Sequence, residues 1–220
     1  DDQKMTALEL VPPAAGEMRQ LADDLYWIRF TLPFRLNHIN LFAFDTDEGW
    51  LLLDCGIKGD ATAAQWQALL DGPLAGRPVS GIIVSHYHAD HVGYAGALAA
   101  RTGAQVYMGA VEYEQAQWGL CQTDSEYGSM MATAYQRFGL ADSHITAARD
   151  TGNYYRFLVG ELPDVITVDS TYQFFTKAGC WQARFDAGHS PGQMSLTDGA
   201  RKLHVCVDFL LPRISPNISA

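Results

Sequence analysis

The sequence predicts a mixed α/β fold whose second half is built from largely antiparallel strands. Three observations carry that prediction. Short apolar runs of strand character come early in the chain, helical patterning fills residues 111–160, and strand runs return from about residue 165. The 220 residues are 48% hydrophobic and 18% charged, which is enough apolar material for a sizeable core and excludes disordered and fibrous classes.

Residues 1–20 read as a loosely tied N-terminal arm. Strands are expected at Leu25 to Phe30, Leu36 to Phe44 and Trp50 to Asp54, the last two joined as an antiparallel hairpin by Thr46-Asp47-Glu48-Gly49. Asp60 is placed to cap a helix with Ala63, Trp66 and Leu70 on one face, which Gly72-Pro73 would stop. Val79 to Ser85 is a short apolar run of the buried-strand kind. A helix from Asp90 to Arg101 follows, with Val92, Ala95 and Ala99 on one face and Gly103 at its end. Gln105 to Met108 reads as the next strand. The helical stretch 111–160 is rich in aromatics, among them Tyr113, Trp118, Tyr127, Tyr135, Tyr154 and Tyr155. Further strands are expected at Val165 to Val168, Tyr172 to Phe175, Trp181 to Phe185, Met194 to Leu196 and Leu203 to Val207. No repeat or Pro/Gly/Ser-rich linker divides the chain, so residues 1–220 read as one domain with a helical insert at about 111–160.

Charge narrows the partners. The formal net charge is −10, which repels phosphate backbones and makes nucleic acid a poor partner. Of the 25 acidic residues, 18 are Asp, the acid of turns, caps and metal sites rather than of helices. Cys55, Cys121, Cys180 and Cys206 form no C-x-x-C pair and are expected as buried free thiols. No run approaches 18 apolar residues, so no membrane span is expected. A cytoplasmic setting follows, although a chain that begins without Met leaves room for a removed leader. The oligomeric state is open.

The chemistry is concentrated in Ser85-His86-Tyr87-His88-Ala89-Asp90-His91, which contains H-x-H-x-D-H. It lies where a buried strand should end and a helix begin. In extended backbone, residues two apart point the same way, so His86 and His88 can converge. Asp90 and His91 fan from the first helical turn. Three imidazoles and a carboxylate within six residues suit zinc, or iron or manganese where oxygen ligands increase. By composition, a chain of this length would contain such a motif by chance roughly 6 × 10⁻⁴ times. His189 in a Gly-rich turn and Asp208 at the end of an apolar run are candidate completing ligands.

With these residues the sequence resembles the metallo-β-lactamase superfamily of hydrolases. The resemblance covers most of the chain: Leu53-Asp54-Cys55-Gly56, the H-x-H-x-D-H motif, Gly188-His189-Ser190-Pro191-Gly192 and Asp208. The run from Asp208 through Leu211-Pro212-Arg213-Ile214-Ser215-Pro216-Asn217 is similar to a bacterial subgroup of metallo-hydrolases whose substrates are mostly unassigned. The fold this implies is a four-layer αβ/βα sandwich, two mixed β-sheets face to face and flanked by helices. Carried over by motif, His86, His88 and His189 would hold a first metal, Asp90 and His91 a second, and Asp208 would bridge them. The family closes its second site with one more His on a later strand, and residues 209–220 contain none. That implies either a C-terminally truncated chain or an incomplete second site. The family also has a small residue and a Gly before the bridging Asp, where this chain has Cys206-Val207. On one strand face with Asp208, Cys206 could offer a thiolate, against the commoner inert core thiol.

The activity implied is hydrolysis of a small molecule by a metal-bound hydroxide, with two zinc ions as cofactors. Asp90 and Asp208 would act as the catalytic carboxylates that orient the water and move its proton. Ester, thioester and lactone bonds are the leading targets. A nuclease, an iron-dependent sulfur dioxygenase and a non-catalytic metal-binding fragment are the alternatives. Tyr87 is weighed as an oxyanion donor against a packing residue. The 111–160 insert is weighed as an apolar pocket wall against an outer helical layer. His38, His144 and His204 are assigned no ligand role.

Overall fold

A computed structural model describes residues 10–211. The LPRISPN run, apart from Leu211, therefore lies outside the described residues, as do residues 1–9 of the arm at the other terminus. That arm ends in a strand the sequence concealed. β1 (Arg19–Ala22) pairs antiparallel with β2 (Leu25–Thr31) at the sheet edge. Four residues with no alternation of burial give no periodic signal.

β2 pairs with β3 (His38–Thr46), and β3 forms the expected antiparallel hairpin with β4 (Gly49–Leu53). Gly49 has φ +140°, and a Cβ there would stand 2.2 Å from the Pro78 carbonyl oxygen, so this turn requires glycine. The sheet then continues in parallel through β5 (Val79–Val84), β6 (Val106–Gly109) and β7 (Val165–Val168). Its order is β1-β2-β3-β4-β5-β6-β7. β7 belongs here, and parallel, not among the antiparallel strands of the second half. That second sheet runs β11-β10-β9-β8 and is antiparallel throughout. It comprises β8 (Gln173–Phe175), β9 (Cys180–Asp186), β10 (Gln193–Asp198) and β11 (Leu203–Val205).

The helices are α1 (Asp60–Asp71), α2 (Ala89–Val92), α3 (Ala95–Thr102), α4 (Ala110–Cys121), α5 (Asp124–Arg137), α6 (Asp142–Thr151) and α7 (Tyr154–Leu158). Two sheets flanked by helices make this a mixed α/β fold. Strand alternation divides the apolar residues between two cores. Leu51, Leu53 and Ile83 meet Trp181, Met194 and Leu196 between the sheets. Leu52, Ile82 and Val84 point the other way, to Trp66, Leu69 and Leu98 of the helices.

The helices depart from expectation in three ways. α1 is capped by Gly59 with no side-chain cap bond, and Asp60 is its first residue. Its buried face is Thr62, Trp66 and Leu69, with Ala63 and Leu70 half-buried beside it, and Trp66 donates its indole N–H to the Cys55 carbonyl. The helix expected over 90–101 is two helices, interrupted at Gly93 and Tyr94. There Tyr94 N–H is taken by Gly56 O and Gly93 O by Gly160 N–H, so the backbone serves neighbouring loops. In the insert, α4 and α7 join the main core, whereas α5 and α6 pack mainly on each other and α6 buries no residue.

Two further features fix the frame. Asp24, in the β1–β2 turn, is fully buried and accepts both guanidinium nitrogens of Arg201 (2.6 and 2.8 Å) and the Trp181 indole N–H (2.9 Å). This ties the edge of the large sheet to the β10–β11 turn. All four cysteines are free, but only Cys55 is buried; Cys121 is exposed.

Candidate metal centre

The centre forms where loops leave both sheets at one rim. β5 ends at Val84, and the motif runs through a short loop into α2. Ser85 to His88 are outside any strand, so His86 and His88 are not aimed by strand alternation. The loop is shaped instead by cross-links: Met194 N–H of β10 donates to Ser85 O at 2.8 Å, and His88 O accepts the His91 and Val92 amides at the start of α2. His189 comes from the turn after β9. Asp208 follows β11, which stops at Val205. Val207 has φ 50°, a left-handed conformation that costs a β-branched residue energy and turns the chain before Asp208.

Three imidazole nitrogens meet at one point. His86 Nε2 and His88 Nδ1 are 3.0 Å apart, His88 Nδ1 and His189 Nε2 2.9 Å, and His189 Nε2 and His86 Nε2 3.1 Å. Tetrahedral ligands at about 2.0–2.1 Å from one zinc ion lie about 3.3 Å from each other, so this triangle needs to open only by a few tenths of an ångström. Beside it, His86, His91 and Asp208 form a second group with ligand atoms within 4.8 Å of one another. His91 Nε2 is buried and has no hydrogen-bond partner; its nearest carboxylate oxygens are on Asp208 (3.4 Å) and Asp90 (3.7 Å). Asp208 Oδ2 is also 3.6 Å from His189 Nε2, which puts it between the His91 and His189 imidazoles. An orphaned buried nitrogen facing two carboxylates, next to three converging nitrogens, fits divalent cations. Four imidazoles and two carboxylates suit zinc, with iron and manganese next.

The tautomers follow from partners outside this cluster. Asp54, at the end of β4 with φ 67°, accepts the Ser85 amide at Oδ1 (2.7 Å) and the Ser85 hydroxyl at Oδ2 (2.8 Å). The same Oδ2 lies 2.8 Å from His91 Nδ1, which therefore donates and turns Nε2 towards the carboxylates. With its proton given to Asp54, the Ser85 oxygen accepts His86 Nδ1–H at 2.8 Å and leaves the His86 Nε2 lone pair free to ligate. Burial, then the neighbouring imidazoles His91, His88 and His189, hold His86 well below the usual histidine range. Burial, then His189 and His91, push His88 down to about 3. Burial would also neutralise His91, but the charges of Asp54, Asp90 and Asp208 overcome it and raise that imidazole. Burial would raise Asp208, but His91, His189 and His88 draw it down to about 2.

All six residues singled out in the sequence, His86, His88, Asp90, His91, His189 and Asp208, thus meet at one rim. His38 is hydrogen-bonded with Asn37, His204 with Thr197, and His144 is exposed on α6. The thiolate reading of Cys206 is corrected: the strand ends before it, and its Sγ turns to the Leu210 carbonyl (3.6 Å). Sequence reasoning gave no role to Ser85 or Glu112 and noted Asp54 only as a strand end. Glu112 offers no local signal at all, being one acidic residue in the first turn of a helix.

The sequence profile of the metallo-beta-lactamase superfamily matches residues 35–220. A beta-lactamase domain protein from Burkholderia ambifaria superposes with a TM-score of 0.80 at 30% identity, over 96% of this chain and 61% of that one. A metallo-beta-lactamase family protein from Thermus thermophilus shares the fold at a TM-score of 0.72 and 18% identity, over 91% of this chain and 64% of that one. The protein named exodeoxyribonuclease YycJ from Bacillus anthracis is 40% identical over 68 residues, 31% of this chain and 25% of its own length. The chain thus spans about three fifths of the length of those structures and a quarter of that nuclease.

Proposed function

The chain belongs to the metallo-β-lactamase superfamily, and on that premise we propose that it is a metal-dependent hydrolase of small-molecule ester, thioester or lactone bonds. The observation that carries the reading is the pair of adjoining ligand groups, with Asp208 Oδ2 facing His91 of one and His189 of the other. His86, His88 and His189 would hold one zinc ion and Asp90 and His91 a second, with Asp208 between them. Bound zinc would supply Lewis acidity and bring the pKa of a water down to near ~7. The chain's own groups then orient that water and handle its proton. Asp208 and Asp90 face the cluster from opposite segments. Burial raises the Asp90 carboxyl; His91 opposes this in part and Asp208 adds to it, which suits a group that takes up a proton and later releases it. The Tyr87 ring lies tilted against His88 (ring centroids 4.7 Å, planes at 60°), and its backbone is held by α4 and α7, which supports a packing role.

One observation favours a second reading. The 68-residue likeness to an exodeoxyribonuclease points to phosphodiester cleavage. A net charge of −10 opposes it, because a polyanionic substrate would approach an acidic protein. The test is a metal analysis followed by a substrate panel. Purified protein is expected to hold close to two equivalents of zinc and to turn over at least one ester, thioester or lactone. Two bound metals with no such turnover overturn the reading, and hydrolysis of phosphodiesters alone selects the nuclease.

A further inference from the structure

We propose that Glu112 is a positioning residue that holds the two histidine-bearing loops of the centre at their mutual distance; its bearing on metal affinity rests on the ligand assignment above. Glu112 is fully buried at the third position of α4 and is no member of either ligand group. Its Oε2 accepts the Tyr87 amide at 2.9 Å, between His86 and His88. Its Oε1 accepts the Ser190 hydroxyl at 2.7 Å and the Gly192 amide at 2.6 Å, immediately after His189. One carboxylate therefore touches both loops that supply the three-imidazole face.

The following peptide group, on the other side of the Tyr87 Cα, is held as well. The Tyr155 hydroxyl of α7 donates to the Tyr87 carbonyl at 2.6 Å. The Tyr155 ring lies close against Gly119 of α4, where a Cβ would come within 2.8 Å of it. The aromatic insert thus acts on the centre through the Tyr87 backbone rather than only as an outer layer.

The chemistry requires a carboxylate at position 112. All three partners are donors, spread over both oxygens, and an amide can accept at only one end. In Glu112→Gln, the amide nitrogen must face either the Tyr87 N–H or the Ser190 and Gly192 donors, so one loop is released. The geometry of the helix start adds to this, since a carboxylate in the first turn is favoured by the helix dipole.

The experiment compares the wild-type full chain with Glu112→Gln, Ser190→Ala and the double variant, using two readouts. The first is amide hydrogen exchange on chelator-treated protein, which does not depend on metal. Glu112→Gln is expected to raise exchange at Tyr87 or Gly192 while β3 and β4 keep their protection. The second is cobalt titration. Glu112→Gln is expected to weaken binding about 10–100-fold and to alter the d–d spectrum of the bound ion, a change that lower stability alone would not produce. Ser190→Ala should have a smaller effect, and less still in the Glu112→Gln background, because both act through one contact. If Glu112→Gln does not fold, Ser190→Ala must still raise Gly192 exchange. Unchanged exchange, affinity and spectrum overturn the proposal. A wild-type chain that binds no metal would overturn the hydrolase reading, and the exchange data would still decide whether Glu112 couples the loops.

Discussion

The side chains that set the chemistry here are themselves set by groups one step removed from the cluster. Asp54 uses both oxygens: Oδ1 on the Ser85 amide, Oδ2 on the Ser85 hydroxyl and on His91 Nδ1. In Asp54→Asn, one of those donors would face an NH2 group, and His91 would lose its fixed tautomer. Metal affinity is expected to fall about 10–100-fold, read by chelator competition, with the fold retained by circular dichroism. The single free lone pair of His86, at Nε2, can serve one metal, the one shared with His88 and His189. His86→Ala and His88→Ala should therefore both lose that metal and keep the one assigned to Asp90, His91 and Asp208. Elemental analysis checks this, and an unchanged metal content in either variant would contradict the assignment.

At the level of elements, the centre depends on how tightly the connector after α7 crosses the short helices behind the motif. Lys58 N–H donates to Leu158 O, and Gly160 N–H to Gly93 O. Gly96, in the first turn of α3, lets this connector pass, since a Cβ there would stand 2.0 Å from Glu161 O. Backbone cannot move aside as a flexible side chain can. Gly96→Ala is expected to destabilise by about 1–3 kcal/mol or more, seen as a lower Tm, with metal affinity reduced as α2 shifts. A Tm equal to the wild type would mean that the connector is not held there. α5 and α6 pack mainly on each other, so exposed substitutions on α6 should leave both stability and metal binding within experimental error.

Across the whole molecule, stability has an acid-sensitive part that is separate from the metal centre. Asp24 is drawn down to about 2: burial opposes this, but the hydrogen bonds from Arg201, Thr176 and Trp181 outweigh it. A carboxyl whose pKa is lower folded than unfolded stabilises the protein above the unfolded value of 3.8 and loses that contribution as pH falls through about 2. The stability of Asp24→Asn, measured by thermal melts, should accordingly fall less steeply than wild type between about pH 4 and pH 2. Arg201→Ala leaves the Asp24 charge buried and unpaired. It is expected to cost about 2–3 kcal/mol near neutral pH, at the low end for a broken buried pair because Arg201 keeps partial access to water. Metal bound at the proposed centre would add a second contribution, about 2.7 kcal/mol at a free concentration 100 times Kd, so chelation is expected to lower the Tm of the wild type.

The sequence by itself determined the strand-helix-strand order, the β3–β4 hairpin, the start of the candidate centre and the identity of its converging side chains. Those features are local: an alternating run, a turn tetrad, four ligand-type residues within six positions. The tertiary structure alone decided the rest. β1 shows only in its pairing with β2, and β7 joins the large sheet because β6 has an open edge for it. The helix after the motif breaks because Gly56 and Gly160 claim the backbone at Tyr94 and Gly93. Asp54 meets His91 across 37 positions, and Glu112 meets Gly192 across 80. A periodic pattern reports which face of an element is buried, but a hydrogen bond between distant segments leaves no period in the chain. The converging side chains could therefore be read in sequence, and the groups that aim them could not.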